Sequence, residues 1–373
     1  MEALAMNMLD STAFRGKKVL VTGHTGFKGA WLSIWLDMLG AEVAGVALDP
    51  QHPQGVFAGS GIGARMHDHR ADIRDLDKVA AIFEKEQPEI VFHLAAQPLV
   101  LESYRDPAGT FAVNTQGTVH ILEAIRRTPS VRAAVLITTD KCYENREWVH
   151  GYRETDPMGG HDPYSASKGA AELVIASYRR SFFSSGKTAA IASARAGNVI
   201  GGGDWSDFRL VPDLIRAIEN RRTLEIRNPA AVRPWQHVVE PLGGYLLLAQ
   251  KLLEAPAQYA DAWNFGPLPH SVHPVGQVVE AFFQYFQKHA GPAAASTGWR
   301  DVSDPNQPHE AGLLMLDISK AIHRLGWKPV LDFPETVGFT ADWYARYAGT
   351  DILALCQQQI NQYLQLWTSR NEN

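Results

Sequence analysis

Short apolar runs alternate with amphipathic segments through the first half of the chain. The runs have the length of strands buried on both faces, and the segments between them repeat apolar residues with helical spacing. The predicted strands cover 18–21, 42–48, 90–94, 133–137 and 189–192, and the predicted helices cover 31–39, 77–86, 114–127 and 169–183. Strands that alternate with helices in this way predict an α/β fold with a doubly wound parallel sheet.

The pattern changes after Arg195, where a glycine-rich segment leads into short helices, prolines and tryptophans. A chain of 373 residues also exceeds the roughly 250–300 residues that a single core usually serves. We therefore expect a first domain over 14–195 and a smaller C-terminal domain over 196–373. A predicted helix at 241–253 and a predicted strand at 262–265 suggest that 235–266 returns to the first domain.

Composition and charge exclude several classes of protein. The 35 Lys and Arg residues against 40 Asp and Glu residues give a net charge of −5, which argues against a surface that coats nucleic acid. Two cysteines cannot form a disulfide framework or a four-cysteine zinc site, and we expect no metal site. The sequence lacks a signal-peptide pattern and a long apolar stretch, so we expect a soluble, cytoplasmic protein with no membrane partner.

A glycine-rich turn, Thr22–Gly29, follows the first predicted strand. Glycines let the backbone turn tightly and approach a pyrophosphate, and the N-terminus of the next helix favours an anion. Asp49 ends the second predicted strand 20 residues after Gly29. A carboxylate there accepts a hydrogen bond from a ribose 2′-hydroxyl and repels a 2′-phosphate. No Lys or Arg occurs in 50–53, so the sequence favours NAD over NADP.

Tyr164 and Lys168 are four residues apart, which places both side chains on one face of a helix. An ammonium group near a phenol favours the phenolate and lowers its pKa. A phenolate can then take the proton of a sugar hydroxyl while a hydride leaves the same carbon. The same spacing also occurs by chance in surface pairs, so its meaning depends on the dinucleotide-binding pattern before it.

These features together resemble the extended short-chain dehydrogenases/reductases, the superfamily of NAD-dependent epimerases and dehydratases with a Rossmann fold. The turn at 22–29, the segment His93–Gln97 and the Tyr164–Lys168 pair carry this resemblance. Within the superfamily, the segments at 138–143, 195–205 and 233–238 are most similar to CDP-glucose 4,6-dehydratases. The resemblance runs from about residue 14 to about residue 363.

The resemblance implies a set of cofactor-binding and catalytic residues. Those implied for NAD are Gly23, Thr25, Gly26, Phe27, Lys28, Gly29, Asp49, Asp72, Ile73, Leu94, Ala95, Ala96, Tyr164 and Lys168. Asp72 has an equally good alternative as a helix N-cap. Those implied for catalysis are Thr139, Asp140, Lys141, Tyr164 and Lys168. The resemblance implies that the Thr139 hydroxyl forms a hydrogen bond with the sugar 4-oxygen, as does Tyr164.

Lys141 departs from related dehydratases, which commonly carry Asp-Glu where this chain has Asp140-Lys141. A dehydration needs an acid for the departing hydroxyl and a base for the proton on carbon 5. Asp140 serves as the acid if burial raises its pKa. Lys141 serves as the base if desolvation and Lys168 lower its pKa, and otherwise it attracts the substrate diphosphate.

The implied substrate is a nucleotide sugar, CDP-glucose, held by Asn198, Arg233 and Trp235. Each has a structural alternative: a turn residue, a surface charge and a core side chain. The implied reaction removes water to give a 4-keto-6-deoxy sugar and regenerates NAD. A 4-epimerase and a non-catalytic nucleotide-binding protein are the two alternatives. Helices 114–127 and 168–183 resemble those that form a four-helix interface, so we expect a homodimer or a higher homo-oligomer.

Overall fold

A seven-stranded parallel sheet forms the centre of the protein. The computed structural model describes residues 9–184, 186, 188–290, 298–304 and 312–371. The strands are β1 (Lys18–Thr22), β2 (Glu42–Ala47), β3 (His67–Arg70), β4 (Ile90–His93), β5 (Ala133–Ile137), β6 (Ala190–Ala196), β7 (Val199–Ile200), β8 (Leu224–Ile226), β9 (Val232–Arg233), β10 (Gln236–His237), β11 (Ala262–Phe265), β12 (His273–Pro274) and β13 (Trp299–Asp301). The large sheet has the order β11-β6-β5-β4-β1-β2-β3, which confirms the predicted α/β class and doubly wound sheet.

Helices cover both faces of this sheet. They are α1 (Phe27–Met38), α2 (Val56–Ser60), α3 (Leu76–Glu86), α4 (Val100–Arg105), α5 (Pro107–Phe111), α6 (Gly117–Arg127), α7 (Pro163–Phe182), α8 (Leu210–Glu219), α9 (Val239–Glu254), α10 (Pro256–Tyr259), α11 (Val275–Ala290), α12 (Phe333–Arg346) and α13 (Ile352–Asn371). Short 3₁₀ turns cover Ser11–Ala13, Ile62–Arg65, Asp140–Cys142 and Pro269–Ser271, and π-helical turns cover Ala112–Gln116 and Ala321–Leu325.

The central strands read as continuous apolar runs because both of their faces are buried. In β1, Val19 and Val21 belong to one apolar cluster with Trp31 of α1. Leu20, between them, points to the other cluster with Phe83 of α3. The two clusters lie on opposite faces of the sheet because successive strand side chains alternate between its faces.

The strand order reverses between β1 and β4, where Thr22 pairs with His93 at the carboxyl ends. Ligands of open α/β sheets bind in the crevice at such a switch point. Hydrogen bonds close this point tightly: Thr22 Oγ1 lies 2.7 Å from His93 Nδ1 and accepts from the Ala95 N–H at 3.1 Å. The crevice therefore lies between the glycine-rich turn and the segment after β4.

Several helices begin earlier than the apolar spacing predicts. α1 begins at Phe27, four residues before the predicted start. α7 begins at Pro163, because the Asp162 side chain caps it by accepting from the Ser165 N–H at 2.9 Å. This earlier start places Tyr164 and Lys168 in the first two turns of one helix.

Later parts of the chain return to the first half. β11 pairs in parallel with β6, with Ala262 opposite Ser193. α9 packs against β5 and β6, and α13 packs against α1 and α2. The remaining short strands form three two-stranded pairs, β7–β10, β8–β13 and β9–β12. The predicted domain boundaries stay a prediction.

Within the described ranges, no helix combines the length and the apolar character that crossing a membrane requires. The same part of the chain holds no group of three or more His, Cys, Asp or Glu side chains arranged to bind a metal ion.

Candidate active site

A cavity of about 730 Å³ opens at the carboxyl edge of the sheet. It brings together residues from the segment after β4, from the end of β5, from α7 and from the segment after β6. The predicted site residues in its wall are Phe27, Lys28, Leu94, Ala96, Thr139, Asp140, Lys141, Tyr164, Lys168, Asn198, Arg233 and Trp235. The other predicted cofactor residues lie outside this wall: Gly23, Thr25, Gly26, Gly29, Asp49, Asp72, Ile73 and Ala95.

Close approach of backbone to backbone explains two glycines of the turn. Gly23 has φ +74°, and a Cβ built there would lie 2.8 Å from the Ala95 nitrogen. A Cβ on Gly29 would overlap the carbonyl oxygen of Gly23. The turn therefore packs directly on the residues after β4 and on the first turn of α1.

The start of α1 fits an anionic ligand. Gly26 is its N-cap, so among the described residues no side chain caps the first N–H groups. Those groups and the helix dipole favour a phosphate. Lys28 lies in this first turn, and burial lowers the pKa of its ammonium group to about 7. The turn and the helix start together fit a dinucleotide pyrophosphate.

Gly29→Ala should destabilise the protein by about 1–3 kcal/mol, because the new methyl group meets backbone that cannot move aside. It should also weaken binding of ADP, which a calorimetric titration measures beside a denaturant unfolding curve. Gly338→Ala in α12 is the control, since a Cβ there meets nothing within 4 Å. That control should stabilise the protein by about 0.4–1 kcal/mol. Unchanged unfolding and ADP binding in Gly29→Ala would contradict the packing argument.

Asp49 lies just beyond β2 with its side chain 90% exposed. Its carboxylate is 3.4 Å from Nε of Arg70, the last residue of β3. Arg70 comes from the neighbouring strand, so the four residues that follow Asp49 in the sequence give no sign of it.

Asp72 and Ile73 follow β3, and the structure shows whether Asp72 is the N-cap of the next helix. Asp72 pairs with Arg74 at 2.6 Å, and this pair holds the pKa of its carboxyl below the ordinary value. The cap of α3 is Asp75, which accepts from the Lys78 N–H at 3.1 Å. The N-cap interpretation of Asp72 is therefore wrong, because the helix begins one turn later. Ile73 is buried in the core.

The phenol of Tyr164 differs from the prediction. Burial raises its pKa to about 12, against a smaller opposite effect of its hydrogen bond with Thr139. The prediction of a lowered pKa is wrong, because desolvation outweighs both this hydrogen bond and the positive charge of Arg209. Lys168 is buried as well, and burial lowers the pKa of its ammonium group to about 8.

Asp140 is only 2% exposed and opens the 3₁₀ turn after β5. Its Oδ1 accepts from the Thr139 hydroxyl at 3.0 Å, whereas its Oδ2 has no hydrogen-bond partner in the described part of the chain. Burial raises the pKa of this carboxyl, against the charges of Lys141 and Arg233. Lys141 is half-buried in the cavity wall, and its backbone N–H donates to Thr139 Oγ1 at 3.3 Å.

The predicted substrate residues form another part of the wall. Arg233 is buried, and its Nη1 donates to the Val232 carbonyl at 3.0 Å. Trp235 is buried and donates from Nε1 to the His273 carbonyl at 3.0 Å. Asn198 is half-buried between β6 and β7. The surface alternative for Arg233 is wrong, because its side chain lies inside the cavity wall.

Comparison with known families identifies the group to which this site belongs. The model of the family described as GDP-mannose 4,6 dehydratase matches residues 20–340. The chain belongs to this family. A CDP-glucose 4,6-dehydratase of Salmonella typhimurium is 45% identical over 366 residues, which cover 97% of this chain and 100% of that protein. The resemblance found in the sequence motifs is confirmed.

Solved structures share the fold of this member of the GDP-mannose 4,6-dehydratase family. A UDP-glucose 4-epimerase of Stenotrophomonas maltophila with bound NAD is 22% identical, with a TM-score of 0.75 over 89% of this chain and 99% of that one. A dTDP-glucose 4,6-dehydratase of Streptomyces venezuelae, solved with NAD bound, is 22% identical, with a TM-score of 0.73 over 89% of this chain and 98% of that one.

Sequence reasoning missed one charged pair in the cavity wall of this family member. Arg209 pairs with the buried Asp204 at 2.9 Å, and both line the cavity. The Arg209 charge also opposes the rise that burial causes in the pKa of Tyr164. Asp204 stands in the glycine-rich segment that supports the resemblance. Arg209 follows in a loop without periodicity, so the sequence carries no signal for it.

A buried carboxylate lies one helical turn after Lys168. Glu172 accepts hydrogen bonds from Thr138 at 2.5 Å, from Ser193 at 2.9 Å and from Arg195 at 2.7 Å. It thereby ties α7 to the ends of β5 and β6. Its negative charge also raises the pKa of Lys168, against the larger effect of burial. The network places Lys168 and the residues after β5 in a fixed relation.

Proposed function

We propose that this protein is an NAD-dependent nucleotide-sugar 4,6-dehydratase that converts CDP-glucose to CDP-4-keto-6-deoxyglucose and water. Membership of the GDP-mannose 4,6-dehydratase family supports the reaction class. The 45% identity to a CDP-glucose 4,6-dehydratase over that protein's whole length supports CDP as the nucleotide of the substrate. The chemistry of the cavity residues supports the removal of water.

NAD would bind at the glycine-rich turn, with its pyrophosphate at the start of α1 and its adenosine ribose beside Asp49. Thr25 lies in the turn and Phe27 begins α1, while Leu94, Ala95 and Ala96 follow β4, with the Ala95 backbone packed against Gly23 of the turn. Asp72 and Ile73 lie beyond β3, on the side proposed for the adenine. When bound, NAD supplies a hydride acceptor and donor for the sugar.

Tyr164 and Thr139 handle the proton of the sugar 4-hydroxyl. The hydrogen bond between the two side chains places both hydroxyl groups at one point of the cavity. Thr139 holds the sugar oxygen while Tyr164 takes its proton as carbon 4 becomes a ketone. Lys168 contributes positive charge from the same helix face, which favours the phenolate.

Asp140 and Lys141 carry out the elimination. A ketone at carbon 4 acidifies the proton on carbon 5. Lys141 removes that proton, and the electron pair forms the carbon 5–carbon 6 double bond while Asp140 protonates the departing 6-hydroxyl. The hydroxyl leaves as water with the proton from Asp140. The proton held by Lys141 would then return to carbon 5 as carbon 6 receives the hydride taken from carbon 4, which gives the 4-keto-6-deoxy sugar and restores NAD.

The burial of the Asp140 carboxyl is the observation that favours dehydration over the two alternatives. Burial and an oxygen without a hydrogen-bond partner in the described chain keep it protonated at higher pH than an ordinary aspartic acid. Epimerisation at carbon 4 breaks no bond at carbon 6 and needs no such acid. A non-catalytic protein would not need the Tyr164–Lys168 pair, which is intact here.

The substrate diphosphate would lie between Arg233 and Asn198, with Arg209 as a further cation in the same wall. A guanidinium group matches phosphate oxygens in a two-pronged arrangement. Trp235 offers an aromatic face for the base or the sugar.

Incubation with NAD and a panel of glucose nucleotides, followed by mass detection of the products, tests the proposal. We expect the loss of one water, with CDP-glucose as the preferred substrate. A product of unchanged mass with inverted carbon 4 would indicate an epimerase, and no conversion of any nucleotide would favour the non-catalytic alternative.

We also propose that the protein is a homodimer through α6 and α7, the helices that correspond to the predicted segments 114–127 and 168–183. Leu173 and Phe182 on α7 are 61% and 47% exposed, and Phe111 at the end of α5 is 39% exposed. Leu173→Asp should therefore give monomers in sedimentation at micromolar concentration. Val149 is 74% exposed in the loop between β5 and α7, so Val149→Asp is the control and should stay dimeric. A wild-type monomer would contradict the proposal.

A further inference from the structure

Arg70 ends β3 beside the carboxyl end of β2, where Ala47 is its register partner. This position puts its guanidinium 3.4 Å from the Asp49 carboxylate, which the turn-and-strand pattern assigns to the adenosine ribose. Thr25 of the glycine-rich turn reaches the same place, since its hydroxyl donates to the Leu48 carbonyl at 3.0 Å. Arg70 therefore lies beside the proposed dinucleotide site, although it is distant from the glycine-rich turn in the sequence.

The Arg70 guanidinium is held in place on several sides. Nη1 donates to the Leu48 carbonyl at 3.2 Å, and Nη2 donates to Asp68 Oδ2 at 2.8 Å. Its central carbon lies 5.2 Å from the centre of the Phe57 ring. The other carboxylate oxygen of Asp68, Oδ1, lies 2.8 Å from Nε2 of the buried His24 in the turn, within hydrogen-bond distance. These contacts fix the cation relative to the turn.

Asp49, in contrast, lies at the protein surface. Its side chain is 90% exposed, whereas that of Arg70 is 33% exposed. Arginine has five N–H donors, so the two hydrogen bonds to Leu48 and Asp68 leave donors that include the Nε group beside Asp49. The charge of Asp49 covers this side of the guanidinium and repels a phosphate there.

We propose that Arg70 is a specificity-determining partner of Asp49: it positions the carboxylate for the ribose 2′-hydroxyl, and it forms a 2′-phosphate site that the Asp49 charge blocks. The inference rests on the proposed binding of NAD. It adds a second residue to the choice between NAD and NADP, taken from a neighbouring strand.

Binding of two nicotinamide-free probes, ADP-ribose and 2′-phospho-ADP-ribose, tests the inference by calorimetry without any turnover. Asp49→Asn should strengthen binding of the phosphorylated probe by about 10- to 100-fold, because it removes repulsion and frees a charged donor. Adding Arg70→Gln should abolish that gain, and adding Arg70→Lys should keep only part of it. Arg65→Gln, which breaks a similar pair with Asp37, is the control and should change neither affinity.

ADP-ribose binding by each variant shows that its dinucleotide site is folded. Equal affinity of Asp49→Asn and Asp49→Asn/Arg70→Gln for the phosphorylated probe would overturn the inference and leave the proposed function intact. Failure of the wild-type protein to bind ADP-ribose or NAD would overturn both.

Discussion

Tyr164→Phe is expected to lower the rate of water loss by at least about 10²-fold, the lower range for a positioned acid–base group. The substitution removes one hydroxyl from a buried side chain and changes its volume little. It leaves the glycine-rich turn untouched, so binding of NAD should persist. Turnover and calorimetric titration of NAD measure the two effects separately.

The raised pKa of Tyr164 makes this prediction more specific. With a pKa of about 12, the side chain is a neutral phenol at pH 7, and it needs neighbouring positive charge to release its proton. The rate through Tyr164 should therefore rise with pH until another group loses its active form. Phenylalanine at this position should remove that rising limb.

Tyr178→Phe on the same helix is the matched control, because Tyr178 lies outside the cavity wall. It should retain near-normal turnover. If Tyr164→Phe also retained near-normal turnover, Tyr164 would have no part in the proton transfer.

Lys141→Met should stop the reaction after the first oxidation. Methionine keeps much of the apolar stem and deletes the amine that is proposed as the base. Water loss should fall by about 10²–10⁴-fold. Reduced nicotinamide should then accumulate on the enzyme when CDP-glucose is added, which its absorbance in the near ultraviolet reports.

Asp140→Asn separates the acid from the base. The base remains in this variant, so in deuterated water carbon 5 of recovered substrate should gain deuterium although elimination is slow. Lys141→Met should show no such exchange. Because the active acid is the protonated form, wild-type elimination should decline as pH rises through the raised pKa of Asp140, and Asp140→Asn should lose that decline.

The alternative role of Lys141 has a different kinetic signature. A half-exposed charge that only attracts the diphosphate mostly affects the Michaelis constant when it is removed. Near wild-type kcat with a raised KM in Lys141→Met would place the base elsewhere.

The sheet was predictable from sequence where both faces of a strand are buried. Val19, Leu20 and Val21 form a continuous apolar run, and each is almost fully buried. β3 gave no such signal, because it lies at the edge of the sheet with the polar sequence His67–Arg70. Instead of entering the core, His67 and His69 contact Glu86, and Arg70 pairs with Asp68 of the same strand.

Site residues were predictable where a motif fixes their spacing. Tyr164 and Lys168 belong to one helix, and Thr139, Asp140 and Lys141 follow one strand. Arg70 and Arg209 were missed because their importance depends on contacts with other segments, and no local pattern marks them. The predicted direction of the shift in the Tyr164 pKa was also wrong, because the sequence shows a neighbouring cation but not how deeply the phenol is buried.

The fate of the hydrogen on carbon 4 tests the central claim most directly. CDP-glucose carrying deuterium at carbon 4 is incubated with the enzyme and NAD, and the position of the label in the product is read by NMR. The account predicts deuterium at carbon 6 of a product that has lost one water, without accumulation of reduced nicotinamide in proportion to turnover. Deuterium that returns to carbon 4, or reduced nicotinamide formed in proportion to product, would contradict it.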